Sequence, residues 1–219
     1  MKTGLYGGSF NPVHLGHVQI VRMVKKSFSL DKVIIVPSAQ PPHKSSAEMA
    51  PADLRLEMTR LAFEDLPGCQ VSDMELQRPG PSFTVDTVAS LRAEQPAGAA
   101  SLFLIMGVDA FLELDTWKNF LFLLETTPLI VVHRPPAGIR QQQTAMKRFL
   151  NHKISRKYTF SKPRACFFHP VLPPIFFFTR VKQPLSATEI RARRKAGQPV
   201  KKLLPDRVDR VIQKQGLYL

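Results

Sequence analysis

The chain has 219 residues, 44% hydrophobic and 22% charged, ordinary values for a soluble globular protein and enough length to bury a core. Formal charge is less ordinary: 31 Lys+Arg against 17 Asp+Glu gives +14. A membrane-spanning helix needs roughly 18 consecutive apolar residues, and the best run, Phe120 to Val132, is broken by Glu125 and Pro128.

The charge is unevenly placed. Residues 1–133 carry 11 basic and 14 acidic side chains, whereas residues 134–219 carry 20 and 3. Such asymmetry fits an anionic partner, whether nucleic acid, a membrane surface or a phosphorylated metabolite; a solvated basic face fits it as well. Cys69 and Cys166 are far apart and form no CxxC, which argues against a disulfide framework and a cysteine-based zinc site. Met1 to Tyr6 run straight into glycines with no apolar leader segment, so the expected location is cytoplasmic.

In chain order, strand-like runs fall at Thr3–Tyr6, Lys32–Val36, Gln70–Ser72, Leu102–Met106 and Leu129–His133, mostly the continuous apolar kind that a buried parallel sheet needs. Helical stripes lie between them: Val18, Val21, Val24 and Phe28; then Leu54, Met58, Leu61 and Leu66; then Val85, Val88 and Leu91. Trp117 to Leu124 reads as a short, mostly buried fourth helix. This alternation predicts βαβ units and a Rossmann-like, doubly wound α/β fold. Ile139 to Leu150 could be an exposed basic helix, and Cys166–Phe168 and Ile175–Phe178 could be strands. Ser186 and Glu189 fit a capping box for a helix that stops at Gly197. A last helix starts at Pro205, carries Val208, Val211 and Ile212, and ends at Gly216.

An open parallel sheet binds its ligand beyond the carboxyl ends of its strands. Gly7-Gly8-Ser9-Phe10-Asn11-Pro12-Val13-His14-Leu15-Gly16-His17 lies at such an end. Its two glycines let backbone N–H groups approach a ligand, and His14 and His17, three apart at a helix start, share one face. Backbone donors, two imidazoles and a helix terminus together suit a polyphosphate. No GxxxxGK[ST] or GxGxxG is present, and no HExxH or cysteine cluster completes a metal site.

The segment Gly8 to His17 resembles the nucleotide-binding motif of the HxGH nucleotidylyltransferases. More narrowly, the chain resembles the bacterial nicotinate-nucleotide adenylyltransferases nearly end to end. Val36-Pro37 through Pro41-Pro42-His43-Lys44, Arg78 through Thr87, Met106-Gly107-Val108-Asp109, Trp117, Arg134-Pro135 and Ser186-Ala187-Thr188-Glu189-Ile190-Arg191 follow in the family's order. Asn11 stands where Asp is usual, Phe83 where Tyr is common, and Ala187 where Ser is common. Residues 140–174 align with nothing in the resemblance.

The resemblance implies one nucleotidylyltransferase domain over 1–219, with about 184–219 a helical C-terminal subdomain packed on it. It implies transfer of AMP from ATP to the 5′-phosphate of nicotinate mononucleotide, with Mg²⁺ carried on the ATP phosphates and no protein metal site. His14, His17, Lys44 and Arg191 would be catalytic. Gly7, Gly8, Ser9, Phe10, Gly107, Asp109, Ser186 and Thr188 would bind ATP, and Thr84, Trp117 and Arg134 the mononucleotide. Expected partners are these two substrates, with no membrane and a homo-oligomer compatible with the sequence. Nicotinamide mononucleotide or phosphopantetheine as acceptor stays open, as does a nucleic-acid-binding module built on Arg191, Arg193, Arg194, Lys195, Lys201 and Lys202.

Overall fold

The computed structural model describes residues 1–41, 49–94, 101–181 and 185–219. In chain order the main elements are β1 (Lys2–Gly8), α1 (Leu15–Phe28), β2 (Lys32–Pro37), α2 (Ala52–Phe63), β3 (Cys69–Val71), α3 (Thr84–Ala93), β4 (Ser101–Gly107) and α4 (Val108–Leu112). They continue as α5 (Phe120–Thr126), β5 (Leu129–Val132), α6 (Ile139–Phe149), β6 (Thr159–Ser161), β7 (Cys166–Phe168), β8 (Ile175–Phe178), α7 (Ala187–Lys195) and α8 (Asp206–Lys214). Eight strands form a mostly parallel sheet in the order β3-β2-β1-β4-β5-β8-β7-β6, the α/β arrangement expected.

The chain divides into two compact units. One comprises Met1–Tyr6 and Phe83–Pro184. In it β1 pairs with β4, β4 with β5 and β5 with β8, all parallel, with Leu5 opposite Leu104 and Ile105 opposite Ile130. Leu129, Ile130, Val131 and Val132 are all buried, which is why β5 reads as an unbroken apolar run rather than an alternating one. Its far strands, β7 and β6, run antiparallel, and the Phe160 and Phe167 rings meet across them at 4.7 Å. Helix α6 is amphipathic rather than wholly exposed. Met146 is buried and the Phe149 ring lies 5.2 Å from Phe111, while Arg140, Lys147 and Arg148 face outward.

The other unit comprises Gly7–Ser82 and Leu185–Leu219. Here β2 pairs in parallel with β3, and α8 lies against α2 with Val208 and Ile212 fully buried. Arg207 of α8 forms ion pairs with Glu64 and Asp65. Helix α2 departs from the expected stripe: it ends at Phe63, so Leu66 lies beyond it, and its buried positions are Arg55, Leu56, Met58, Thr59 and Phe63. An arginine at the centre of that face displaced the pattern that apolar spacing alone would give. Helices α7 and α8 stop where expected: Gly197 and Gly216 take the left-handed conformation at φ +65° and +58°. In each case the next residue donates back into the last turn, Gln198 to the Arg193 carbonyl and Leu217 to the Ile212 carbonyl.

Two local expectations change. Trp117 is not helical; it follows a 3-10 turn over Leu114–Thr116, and the helix expected there, α5, starts only at Phe120 and buries Leu123 and Leu124 while Leu121 is exposed, so it is not mostly buried. Ser186 does cap α7, but its side chain makes no capping bond. Glu189 instead accepts from Arg193 at 2.7 Å, an i,i+4 pair that competes for the carboxylate.

Candidate active site

His14 occupies the N-cap of α1 and His17 its third position. The His14 N–H donates to His17 Nδ1 at 3.2 Å, and the two rings stack at 3.7 Å. An accepting Nδ1 carries no proton, so neutral His17 holds its proton on Nε2 and presents that nitrogen as a donor. Gly16 between them is a steric requirement. A Cβ there would come within 3.0 Å of the His14 ring and of Leu185 Cβ, tighter than an unshifted neighbour allows. The Phe10 ring meets His17 edge-on at 5.1 Å. Phe10 is itself 2% exposed at φ +44°, so its ring is packed inside rather than presented to a ligand. Gly7 and Gly8 lie inside the end of β1 rather than in a turn after it, and neither has a positive φ.

The loop between β1 and α1 is held by a residue that the sequence did not single out. Arg55 is 1% exposed and donates to four carbonyls: Ala50 at 3.0 Å, Ser9 at 2.7 Å, Ser38 at 2.6 Å and Ala39 at 2.9 Å. Burial lowers its pKa, but an arginine remains charged, and the converging carbonyl dipoles compensate that charge. An unusual count of loop carbonyls in need of donors would have been the only signal, and it does not appear in a sequence. Asn11 is a second junction. Its Oδ1 accepts from the Ala50 N–H at 3.0 Å and from the Tyr218 hydroxyl at 2.8 Å. Its carbonyl accepts from Arg191 Nη1 at 2.9 Å. Arg191 also reaches Thr188 Oγ1 at 3.5 Å, a long contact. His14, His17, Ser9, Phe10, Arg191 and Thr188 thus belong to one connected group. Lys44 lies outside the described residues.

Ser186, the N-cap of α7, lies in the same unit, whereas Gly107, Asp109, Thr84, Trp117 and Arg134 belong to the other. Gly107 ends β4 and caps α4, placing Asp109 in the first helical turn, and any Cβ at 107 would collide with the Asp109 carboxylate. Asp109 pairs with Arg134 Nη1 at 3.0 Å. Burial pushes the nearby Tyr6 hydroxyl pKa well up, so Tyr6 stays neutral beside that pair. Residue 134 is gripped from behind by Gln142 of α6, another residue the sequence did not mark. Gln142 Oε1 accepts from the Arg134 N–H at 3.1 Å and meets His133 Nδ1 at 2.9 Å, while Nε2 donates to the Arg134 carbonyl. Thr84 opens α3, so its N–H is one of the donors that a helix start leaves outward. Trp117 is half-buried, and the following Lys118 is tied to the same helix start, 3.0 Å from Asp86 and 4.7 Å above the Phe83 ring. Among the described residues no group of three His, Cys, Asp or Glu side chains could hold a metal ion. No described helix is long and apolar enough to cross a membrane.

A stacked histidine pair at a helix start after the first strand of such a sheet defines a nucleotide-handling α/β protein, and residues 5–193 match the cytidylyltransferase-like family. The chain belongs to that family and, within it, to the nicotinate-nucleotide adenylyltransferases. It is 36% identical over 221 residues to a protein of Desulfatibacillum aliphaticivorans named "Probable nicotinate-nucleotide adenylyltransferase", with 100% of both chains covered. It is 38% identical over 218 residues to a protein of the same name from Thermus thermophilus, again with 100% of both covered. Its fold is that of Plasmodium falciparum nicotinic acid mononucleotide adenylyltransferase complexed with NaAD, with a TM-score of 0.74, 15% identity, and 99% and 97% of the two chains covered.

Proposed function

We infer that the protein transfers AMP from ATP to the 5′-phosphate of nicotinate mononucleotide, giving deamido-NAD and pyrophosphate in NAD biosynthesis. The observation that carries this reading is the stacked His14–His17 pair, with Gly16 emptied of a side chain beneath it and Arg191 tied to the same loop.

An oxygen of the acceptor phosphate attacks the α-phosphorus of ATP as the bond to the β-phosphate oxygen breaks. No protein nucleophile is needed, so the protein's work is positioning and neutralising charge. His17 Nε2–H and His14 donate to the α- and β-phosphates. Arg191 and the Ser186–Thr188 start of α7 hold the leaving pyrophosphate, and Lys44 adds a further charge. Gly7, Gly8, Ser9 and Phe10 offer backbone to the nucleotide. On the acceptor side, Arg134 takes the mononucleotide phosphate, Trp117 stacks on the pyridine ring and the Thr84 N–H reads its carboxylate. Gly107 and Asp109 face the ribose. Mg²⁺ carried with ATP as part of the co-substrate would supply further neutralisation of phosphate charge. The reading places the enzyme in the cytoplasm.

Pyrophosphate release, measured with ATP and Mg²⁺ and with nicotinate or nicotinamide mononucleotide supplied in parallel, tests this. Release with the acid well above release with the amide is expected. Equal rates would discard carboxylate recognition at Thr84, and no release with either would discard the reaction.

A further inference from the structure

Asn11 joins three segments that are distant in sequence. Its side-chain oxygen holds the backbone just before α2 through Ala50, its main-chain oxygen holds Arg191 of α7, and Tyr218 donates a hydroxyl to the same side-chain oxygen. The route that brings Tyr218 there is local. Helix α8 is seated on α2 by Val208 and Ile212, and Gly216 reverses the chain at its end. Tyr218, itself at φ +63°, then turns its ring back toward residue 11.

We propose that Tyr218 is a positioning residue for Arg191, acting through Asn11. The Arg191 guanidinium is anchored by a hydrogen bond at 2.9 Å to the Asn11 carbonyl, so its direction depends on how firmly that peptide is held. The Asn11 side chain is the handle on that peptide, and Tyr218 and Ala50 donate to it at 2.8 and 3.0 Å. Without the hydroxyl the Asn11 side chain loses its shorter hydrogen bond and gains freedom to rotate, and the carbonyl facing Arg191 moves with it. Tyr218 suits this task chemically. Burial holds its hydroxyl pKa far above the usual tyrosine value even though Arg191 and Arg55 pull the other way, so it stays protonated and donates throughout the working pH range. An amide at position 11 completes the design, because a neutral oxygen accepts both donors without adding a carboxylate that would draw Arg191 away from a phosphate.

The proposal rests on the adenylyltransferase reading, in which Arg191 binds the ATP phosphates. The test is a double-mutant cycle of Tyr218→Phe with Arg191→Lys, read as the dissociation constant of Mg²⁺–ATP by calorimetry and as kcat and KM for each substrate. In the wild-type background Tyr218→Phe is expected to weaken ATP binding about five- to tenfold, the worth of one buried hydrogen bond, with the mononucleotide KM unchanged. In the Arg191→Lys background the same change should cost less than about twofold, because the fork it orients is gone. Equal losses in the two backgrounds, or no loss in the first, would overturn the proposal, as would equal rises in both KM values. Melting curves on all four proteins separate a misfolded variant from a misdirected arginine. If Tyr218→Phe unfolds, Asn11→Ala in the same cycle reads the same coupling from the other end. Failure of wild-type protein to bind ATP would instead remove the functional reading and this inference with it.

Discussion

Arg55 and Arg134 each belong to one of the two groups of site residues, and they are held in opposite ways. Arg55 is 1% exposed, its fork filled by four main-chain oxygens, and it has no freedom to meet a ligand. The Arg134 side chain is 45% exposed against the Asp109 carboxylate, while its backbone is clamped from behind by Gln142. One arginine builds the loop that others use; the other is presented on a fixed peptide with its charge free to exchange partners. Charge in the first case is structural and in the second available, although the two residues are identical on paper.

Removing the structural charge should have the largest effect. Arg55→Met leaves four carbonyls without their donor and is expected to cost about 3–5 kcal/mol in urea unfolding, whereas Arg134→Met should stay within about 0.5 kcal/mol. Similar losses for both would erase the distinction. Next comes His17→Ala, expected to slow pyrophosphate release about 10²- to 10³-fold while lowering stability by only about 1 kcal/mol, the value of a helix-start acceptor. Paired assays and melting curves check it, and a fall in stability matching that of Arg55→Met would make His17 a structural residue too.

Burial should also carry the alkaline pH dependence. Cys166 is fully buried in β7, and burial pushes its thiol up to about 11 from the ordinary 9.0. The folded value lies above the unfolded one, so its contribution is intact below about pH 9 and is lost as pH rises through about 11, by up to about 3 kcal/mol. Unfolding curves at pH 8 and 11 for wild-type protein and Cys166→Ala should show a smaller drop in the variant. The smallest effect belongs to the clamp. Gln142→Leu should raise the mononucleotide KM about tenfold and leave the ATP KM alone. An equal rise in both would mean that Gln142 supports the fold rather than Arg134.

Much of this architecture was legible. Strands β2, β4 and β5 are apolar almost without interruption, the mark of strands covered on both faces. The pairing of His14 with His17 followed from spacing alone. Residue 55 was not legible, because a periodicity argument assigns arginine outward and only the positions of carbonyls from two loops reverse that. Gln142 escaped for a related reason: two of its contacts are to main-chain atoms of residue 134 and the third is to His133, nine positions away with no periodic spacing to mark it. Glu189 was misassigned because the capping box and the i,i+4 pair with Arg193 draw on the same carboxylate, and spacing does not rank them.

Phe10 sets a limit on improvement. A left-handed backbone at a non-glycine residue costs on the order of 1 kcal/mol, so Phe10→Gly would relax the main chain. The same exchange would delete the ring that steadies His17 and leave a void under the loop, a penalty of about 3 kcal/mol or more. A substitution chosen on backbone propensity alone would fail there. Selection for a relaxed backbone and selection for an ordered histidine point in opposite directions at a single residue.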